Sequence, residues 1–310
     1  MPSSSAPGKV ILYGEHAVVF GQPATSMAVN LRAEVFARPH DEWRADGASL
    51  DDPKYTYVKG AVNKAWSNGP LWLEIRSMLP LGAGMGSSAA VTVATLAVLR
   101  RMRDMYSKIW IARTAFDVEY EVQKGMASPI DTSTATAGGG LLVTSEPPNE
   151  GSLWHIQRGE RRWYMRKVVY PPFTLVVGST GIAAPTGPLV AGVRDLVDRK
   201  PEARRAIEEI GTITLEGSRA LLRRDLVRAG ELMTRNHALL NSLGVGHALL
   251  DKFVAAALPH AYGAKLTGAG GGGSMIALTD EPEKVRAVIE RAGGKAFAVT
   301  TEPLGVRVTS

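Results

Sequence analysis

Between an apolar strand and an apolar helix the chain carries a glycine-serine run, Leu79-Pro80-Leu81-Gly82-Ala83-Gly84-Met85-Gly86-Ser87-Ser88-Ala89-Ala90-Val91. Upstream, Leu71-Trp72-Leu73-Glu74-Ile75-Arg76 alternates apolar and polar residues as a strand does. Downstream, Ala89, Ala90, Val93, Ala94, Ala97 and Val98 recur at helical spacing. Glycines let a backbone approach an anion closely, and the first free N–H groups of a helix then point at it. Two consecutive hydroxyls add donors, or a metal ligand, at the same place. The run reads as an anion cradle suited to a phosphate chain. It matches neither of the two commonest nucleotide loops. Ser87 stands where G-x-G-x-x-G needs its third glycine, and no Lys follows as G-x-x-x-x-G-K-[ST] requires.

A second glycine-rich turn, Gly268-Ala269-Gly270-Gly271-Gly272-Gly273-Ser274, runs into the strand-like Met275-Ile276-Ala277-Leu278. Two such turns from distant parts of the chain suggest a ligand held between them. Phosphoryl transfer needs amides and a lysine around the phosphates, a metal held by an acid and a hydroxyl, and a carboxylate near the attacking hydroxyl. Lys9 directly follows Pro7-Gly8 at the mouth of the first strand. Asp131 falls in a stretch, Gly125 to Thr136, that reads as a loop, and Glu119 and Glu121 lie on the helix before it. Taken singly, each has an ordinary alternative: a turn or helix cap for Asp131, a surface charge for Lys9.

The elements that must position these groups alternate between helix and strand, which places the chain in the α+β class. Strands are expected at 9–13 and 29–38, and a charged, Pro- and Gly-containing loop over 39–56 could reach over a site. Helices are expected at 88–105 and 109–124, a strand at 141–143, and a solvated hairpin around 158–167. Pro171-Pro172 marks the expected division into domains 1–170 and 171–310. Beyond it come a strand at 173–177, helices at 188–200, 202–224, 226–243, 249–257 and 282–292, and short strands at the end.

Composition sets outer limits. A chain of 310 residues with 45% hydrophobic and 21% charged residues can bury a sizeable core. The net charge of +6 suits phosphorylated or carboxylated small molecules. With no basic helix or aromatic-basic platform beside it, it gives no nucleic-acid footprint. No cysteine is present, so thiol nucleophiles, disulfides and zinc-thiolate sites are excluded. The longest apolar run, Ala89 to Leu99, is far short of the ~18 residues of a membrane span, and the N-terminus lacks a secretory pattern. No membrane partner and a cytoplasmic location are expected.

Three segments in order, Pro7-Gly8-Lys9 with its strand, Pro80 to Ala90, and Lys265 to Ser274, resemble the motifs of the GHMP kinases. The resemblance implies an N-terminal α/β domain of the ribosomal-protein-S5 type with a left-handed βαβ unit, a ferredoxin-like C-terminal domain, and ATP in the cleft between them. Gly14-Glu15-His16-Ala17-Val18-Val19-Phe20-Gly21-Gln22-Pro23-Ala24, Thr186 to Arg194 and Asn236 to His247 are similar to the family's mevalonate kinase branch, in its archaeal form. Ala17-Val18 stands where galactokinases carry Thr-Asp.

That resemblance implies ATP and Mg2+ as cofactors and mevalonate as the small-molecule substrate, phosphorylated at its C5 hydroxyl; family habit adds a homodimer. It implies ATP contacts at Pro80, Gly82, Ala83, Gly84, Met85, Gly86, Ser87, Ser88 and Ala89. Metal ligation would come from Ser87 or Ser88 with Glu119, favoured over Glu121 by the match of Glu119-Tyr120-Glu121. Asp131 and Lys9 would be the catalytic pair, Lys9 favouring the ionised Asp131 at ~4–6 Å. Glu15, His16, Thr186 and Gly270 are the candidates for gripping the acceptor. Two departures stand out: Pro129 replaces a glycine in the loop before Asp131, and Gly187 stands where animal enzymes often carry Lys.

Overall fold

The computed structural model describes residues 1–80, 84–147, 151–183 and 186–309. The first lobe opens with β1 (Ser3–Tyr13), almost wholly buried, and β2 (Ala24–Pro39), which pairs with it antiparallel. There follow the short β3 (Arg44–Ala45) and β4 (Ala48–Ser49), α1 (Thr56–Ala65), β5 (Leu71–Ser77), α2 (Ser87–Arg101), α3 (Lys108–Val122) and α4 (Ile130–Ala137). β6 (Gly140–Thr144), β7 (Ser152–Arg158) and β8 (Arg161–Val168) complete this half. The sheet runs β4-β3-β5-β2-β6-β8-β7, with β1 against β2, and β3 pairs in parallel with β5 with α1 between them. The stretch 39–56, expected as a loop, holds the β3–β4 hairpin and a 3-10 turn at Pro53–Tyr55.

α2 is the central helix, touching β1, β2, α1, α3 and α4. Its residues Ala89, Ala90 and Thr92 to Leu99 are all buried, as suits a helix apolar on every side. The hydroxyls of Thr92 and Thr95 donate to the Ser88 and Val91 carbonyls at 2.8 Å, so threonine adds no unsatisfied group to this core.

Asp131 does not sit in a loop. The expected loop 125–136 folds from Ile130 onward into α4, whose residues Thr132 to Ala137 are all buried. Four Ser and Thr residues among the five from Thr132 to Thr136 argue locally against a helix. Burial overrides that preference, and three of the four hydroxyls find partners, Thr132 Oγ1 having none among the described residues. Thr134 and Thr136 donate to the Ile130 and Thr132 carbonyls, Thr134 also meets Ser26 at 2.6 Å, and Trp154 Nε1 donates to Ser133 at 3.3 Å.

The second lobe contains β9 (Leu175–Ser179), α5 (Thr186–Arg199), α6 (Pro201–Leu222), α7 (Leu226–Ser242), α8 (Ala248–Ala257), β10 (Gly263–Thr267), β11 (Ser274–Leu278), α9 (Pro282–Arg291) and β12 (Lys295–Val299). Its sheet has the order β10-β11-β9-β12, antiparallel throughout, which is the ferredoxin-like arrangement expected. The chain then returns to the first lobe. Glu302 bonds with Ala28 and Gly139 through backbone, and β13 (Arg307–Thr309) pairs with β1. Arg32 clamps this tail, donating to the Gly305 and Leu304 carbonyls at 2.8 and 3.1 Å and to the Ser5 carbonyl at 2.9 Å. Among the described residues, no helix is long and apolar enough to cross a membrane.

Candidate active site

The sequence candidates from both lobes meet in one cleft of about 860 Å³, within the range of small-ligand sites. Lys9 projects from β1 where the ladder to β2 is interrupted between Pro7 and Lys9. Its amide donates to the Met85 carbonyl at 2.9 Å, which draws the first glycine-rich turn against the strand. Its Nζ, nearly buried, lies 3.0 Å from Asp131 Oδ2, whose side chain keeps a quarter of its surface exposed to the cleft. Asp131 occupies the first turn of α4.

Gly86 is the residue before α2, with φ +70° and no side chain capping the first-turn amides. A Cβ there would lie 2.9 Å from Lys9 Cε, so glycine lets the lysine stem lie across the helix start. Free amides of a helix N-terminus beside a lysine make a site for phosphate oxygens. Pro80, Gly84, Ser87 and Ser88 line the same wall; Met85 and Ala89 are buried behind it, and Gly82 and Ala83 lie outside the described residues. The second glycine-rich turn packs opposite, a Cβ on Gly268 falling 3.8 Å from the Gly84 carbonyl. Tyr55, Val58, Ile75 and Val91 give the cleft an apolar flank, to which the 39–56 stretch contributes.

Glu119 faces the cleft from α3, while Glu121 turns to solvent and pairs with Lys64 at 2.6 Å. Gln123 donates to Glu119 Oε1 at 3.1 Å and to the Tyr57 hydroxyl at 3.3 Å, and Tyr57 also interacts with Ser88. Glu119 Oε2 is buried with no partner among the described residues. Burial, and then the Asp131 charge, push the Glu119 carboxyl well above the usual carboxylate range. A hydroxyl and an unsatisfied carboxyl beside a phosphate cradle fit Mg2+, which takes few protein oxygens and completes its shell with phosphates and water.

The remaining candidates divide. Glu15 and His16 lie in the loop after β1 and line the cleft, although both are buried. His16 Nε2 lies 2.9 Å from the Ala269 carbonyl, which can only accept, so the proton is placed on Nε2. Its Nδ1 is left as an acceptor, buried with no partner among the described residues. Burial lowers the imidazole pKa, favouring this neutral form. Thr186 lines the cleft from the start of α5. Gly270 lines it too, but its form is dictated from behind: φ is +78°, and a Cβ would sit 2.0 Å from the Val245 carbonyl.

One group went unread in the sequence as more than the edge of a motif. Lys265 on β10 is fully buried and pairs with Glu15 Oε1. Burial pushes the ammonium down and the Glu15 carboxyl up, each opposed by the other's charge. The available signal was a single lysine within Gly263-Ala264-Lys265-Leu266-Thr267, a strand buried at every position.

The family model for the GHMP kinases N terminal domain matches residues 56–139, and that for GHMP kinases C terminal matches 218–298. The mevalonate kinase of Archaeoglobus fulgidus is 35% identical over 314 residues, covering 98% of this chain and 99% of that protein. That of Pyrococcus abyssi is 33% identical over 342 residues, covering 98% and 97%. Among solved structures, that of L. major mevalonate kinase in complex with R-mevalonate has a TM-score of 0.77 at 25% identity, covering 97% of this chain and 96% of that one. Relatives of this similarity cover 98% of the chain, and the cleft is lined from all three segments that resemble the family's motifs. The chain therefore belongs to the GHMP kinase family, in its mevalonate kinase branch.

Proposed function

We propose that this protein transfers the γ-phosphoryl group of ATP to the C5 hydroxyl of (R)-mevalonate, giving 5-phosphomevalonate and ADP. The observation that carries the reading is the Lys9–Asp131 pair at 3.0 Å, set between the uncapped start of α2 and the wall formed by Glu15 and His16. In the reaction a bond forms between the C5 oxygen and the γ-phosphorus as the bond to the bridging oxygen of ADP breaks. Asp131 accepts or orients the hydroxyl proton, and Lys9 offsets charge on the transferring oxygens. Amides from Gly84 to Ala89 hold the phosphates, and the apolar flank near Tyr55 and Val58 receives the base. Ser88, with Ser87 beside it, and Glu119 would hold Mg2+, which supplies charge neutralisation on the phosphate oxygens. His16 Nδ1 and Glu15 accept from the hydroxyls of the acceptor, and Thr186 closes the opposite side. Cytoplasmic ATP would feed the site.

The test is a coupled ADP-release assay with Mg-ATP and mevalonate, phosphomevalonate, galactose or homoserine, with phosphorus NMR on the product. A primary phosphate ester at C5 of mevalonate is expected. An ester at C3, or turnover confined to another acceptor, would overturn the reading.

A further inference from the structure

The end of β1 and its following loop are fastened to β10 and its following turn at three points. Thr267 Oγ1 accepts from the Ile11 amide and donates to the Ile11 carbonyl, both at 3.0 Å. His16 Nε2 meets the Ala269 carbonyl, and Lys265 pairs with Glu15. The third contact is of a different kind from the others. Removing two charges from water is costly, and a hydrophobic pair of equal volume often stabilises a fold better. A lysine and a glutamate enclosed together, each almost without exposure, are therefore a poor device for stability alone.

The surroundings of Lys265 hold it in one place. Its ammonium also donates to the Leu266 carbonyl at 2.7 Å, and the Leu266 amide donates to His237 Nδ1 at 3.2 Å. His237 in turn is fixed through Nε2 by Asp251 at 3.1 Å. The lysine thus stands on a braced peptide behind the cleft wall, while Glu15, its partner, forms part of that wall. With Oε1 taken by Lys265, Oε2 is left buried with no partner among the described residues. A buried carboxylate oxygen without a donor is costly in the empty site and well suited to a donor brought by a ligand.

We infer that Lys265 is a positioning residue for the acceptor: it acts through Glu15, holding Oε1 so that Oε2 is free to receive a hydroxyl proton donor of the acceptor molecule. The inference rests on the kinase reading above, and the nucleotide half of the cleft lies outside its reach. Lys265→Met should therefore separate the two ligands.

The experiment is calorimetric titration of the wild type and Lys265→Met with mevalonate and, separately, with Mg-ADP, alongside thermal unfolding. The expected result is a dissociation constant for mevalonate raised by about tenfold or more, as for loss of a hydrogen bond to a charged group, with that for Mg-ADP within about twofold. Steady-state KM values should split the same way. Should the single variant not fold, the Glu15→Gln/Lys265→Met double variant buries no charge and is expected to show the same selective loss. Mevalonate affinity within about twofold of wild type, in whichever variant folds, overturns the inference, as does parallel weakening of both ligands. If the wild type itself binds Mg-ADP but not mevalonate, the proposed reaction falls and this inference falls with it.

Discussion

Asp131 and Glu119 are two carboxyls facing one cleft, and their neighbours give them different work. Asp131 has a lysine at 3.0 Å and part of its surface open; Glu119 is enclosed, with an amide on one oxygen and nothing described on the other. The first suits the reacting hydroxyl and the second a cation. Asp131→Asn keeps the shape and removes the proton acceptor, so turnover should fall by at least ~10²-fold with little change in the KM for ATP. Lys9→Met should cost a similar factor. Steady-state kinetics on folded protein decide this, and near-wild-type turnover by Asp131→Asn would remove that residue from the proton path. His16 makes a pH prediction. Burial lowers its pKa, with the Ala269 carbonyl opposing and the Lys265 charge reinforcing the shift, so protonation begins only below the ordinary value near ~6.5. Protonation turns Nδ1 from acceptor to donor. The KM for mevalonate should be level from about pH 8 to ~6.5 and rise below it; in His16→Gln that rise should shrink.

Among the elements, the α2 start was the most legible in sequence, because glycines and serines between a strand and a helix describe its geometry directly. The order of the second sheet also follows from the strand and helix pattern once the family is recognised. α4 was illegible: its Thr-Ser-Thr-Ala-Thr run is helical because α2, α3, β1 and β2 enclose it, and a local reading has no access to any of them. Lys265 was illegible for the same reason, its partner lying 250 positions away. Gly86 tests the α2 start. In Gly86→Ala, a left-handed conformation costs a non-glycine residue roughly 1–2 kcal/mol, and the methyl presses on the Lys9 stem. Turnover should drop by about tenfold or more with a lower thermal midpoint. A variant destabilised by that amount but fully active would show that Lys9 tolerates displacement.

At the scale of the whole molecule, the lobes are tied together by the returning tail as well as by the β1–β10 contacts. The tail touches α4 directly, the Val306 amide donating to the Thr136 carbonyl at 3.2 Å. Arg32→Ala would strip donors from three backbone carbonyls and leave Glu302 with Arg307 as its one paired cation among the described residues, a loss of about 2 kcal/mol. The thermal midpoint should fall by several degrees, and turnover by a few fold as α4 loosens; unchanged turnover in a destabilised variant would mean that α4 holds its place without the tail.

The pairing of Ser3 with Thr309 has one more consequence. β1 and β13 are neighbours in a single sheet, so the element that opens the first lobe and the one that follows the second lie side by side. A short linker could join them and a cut at the exposed Gly159–Glu160 tip could open the chain elsewhere, every residue keeping its surroundings. The order in which the elements are joined is therefore separable from the architecture that results.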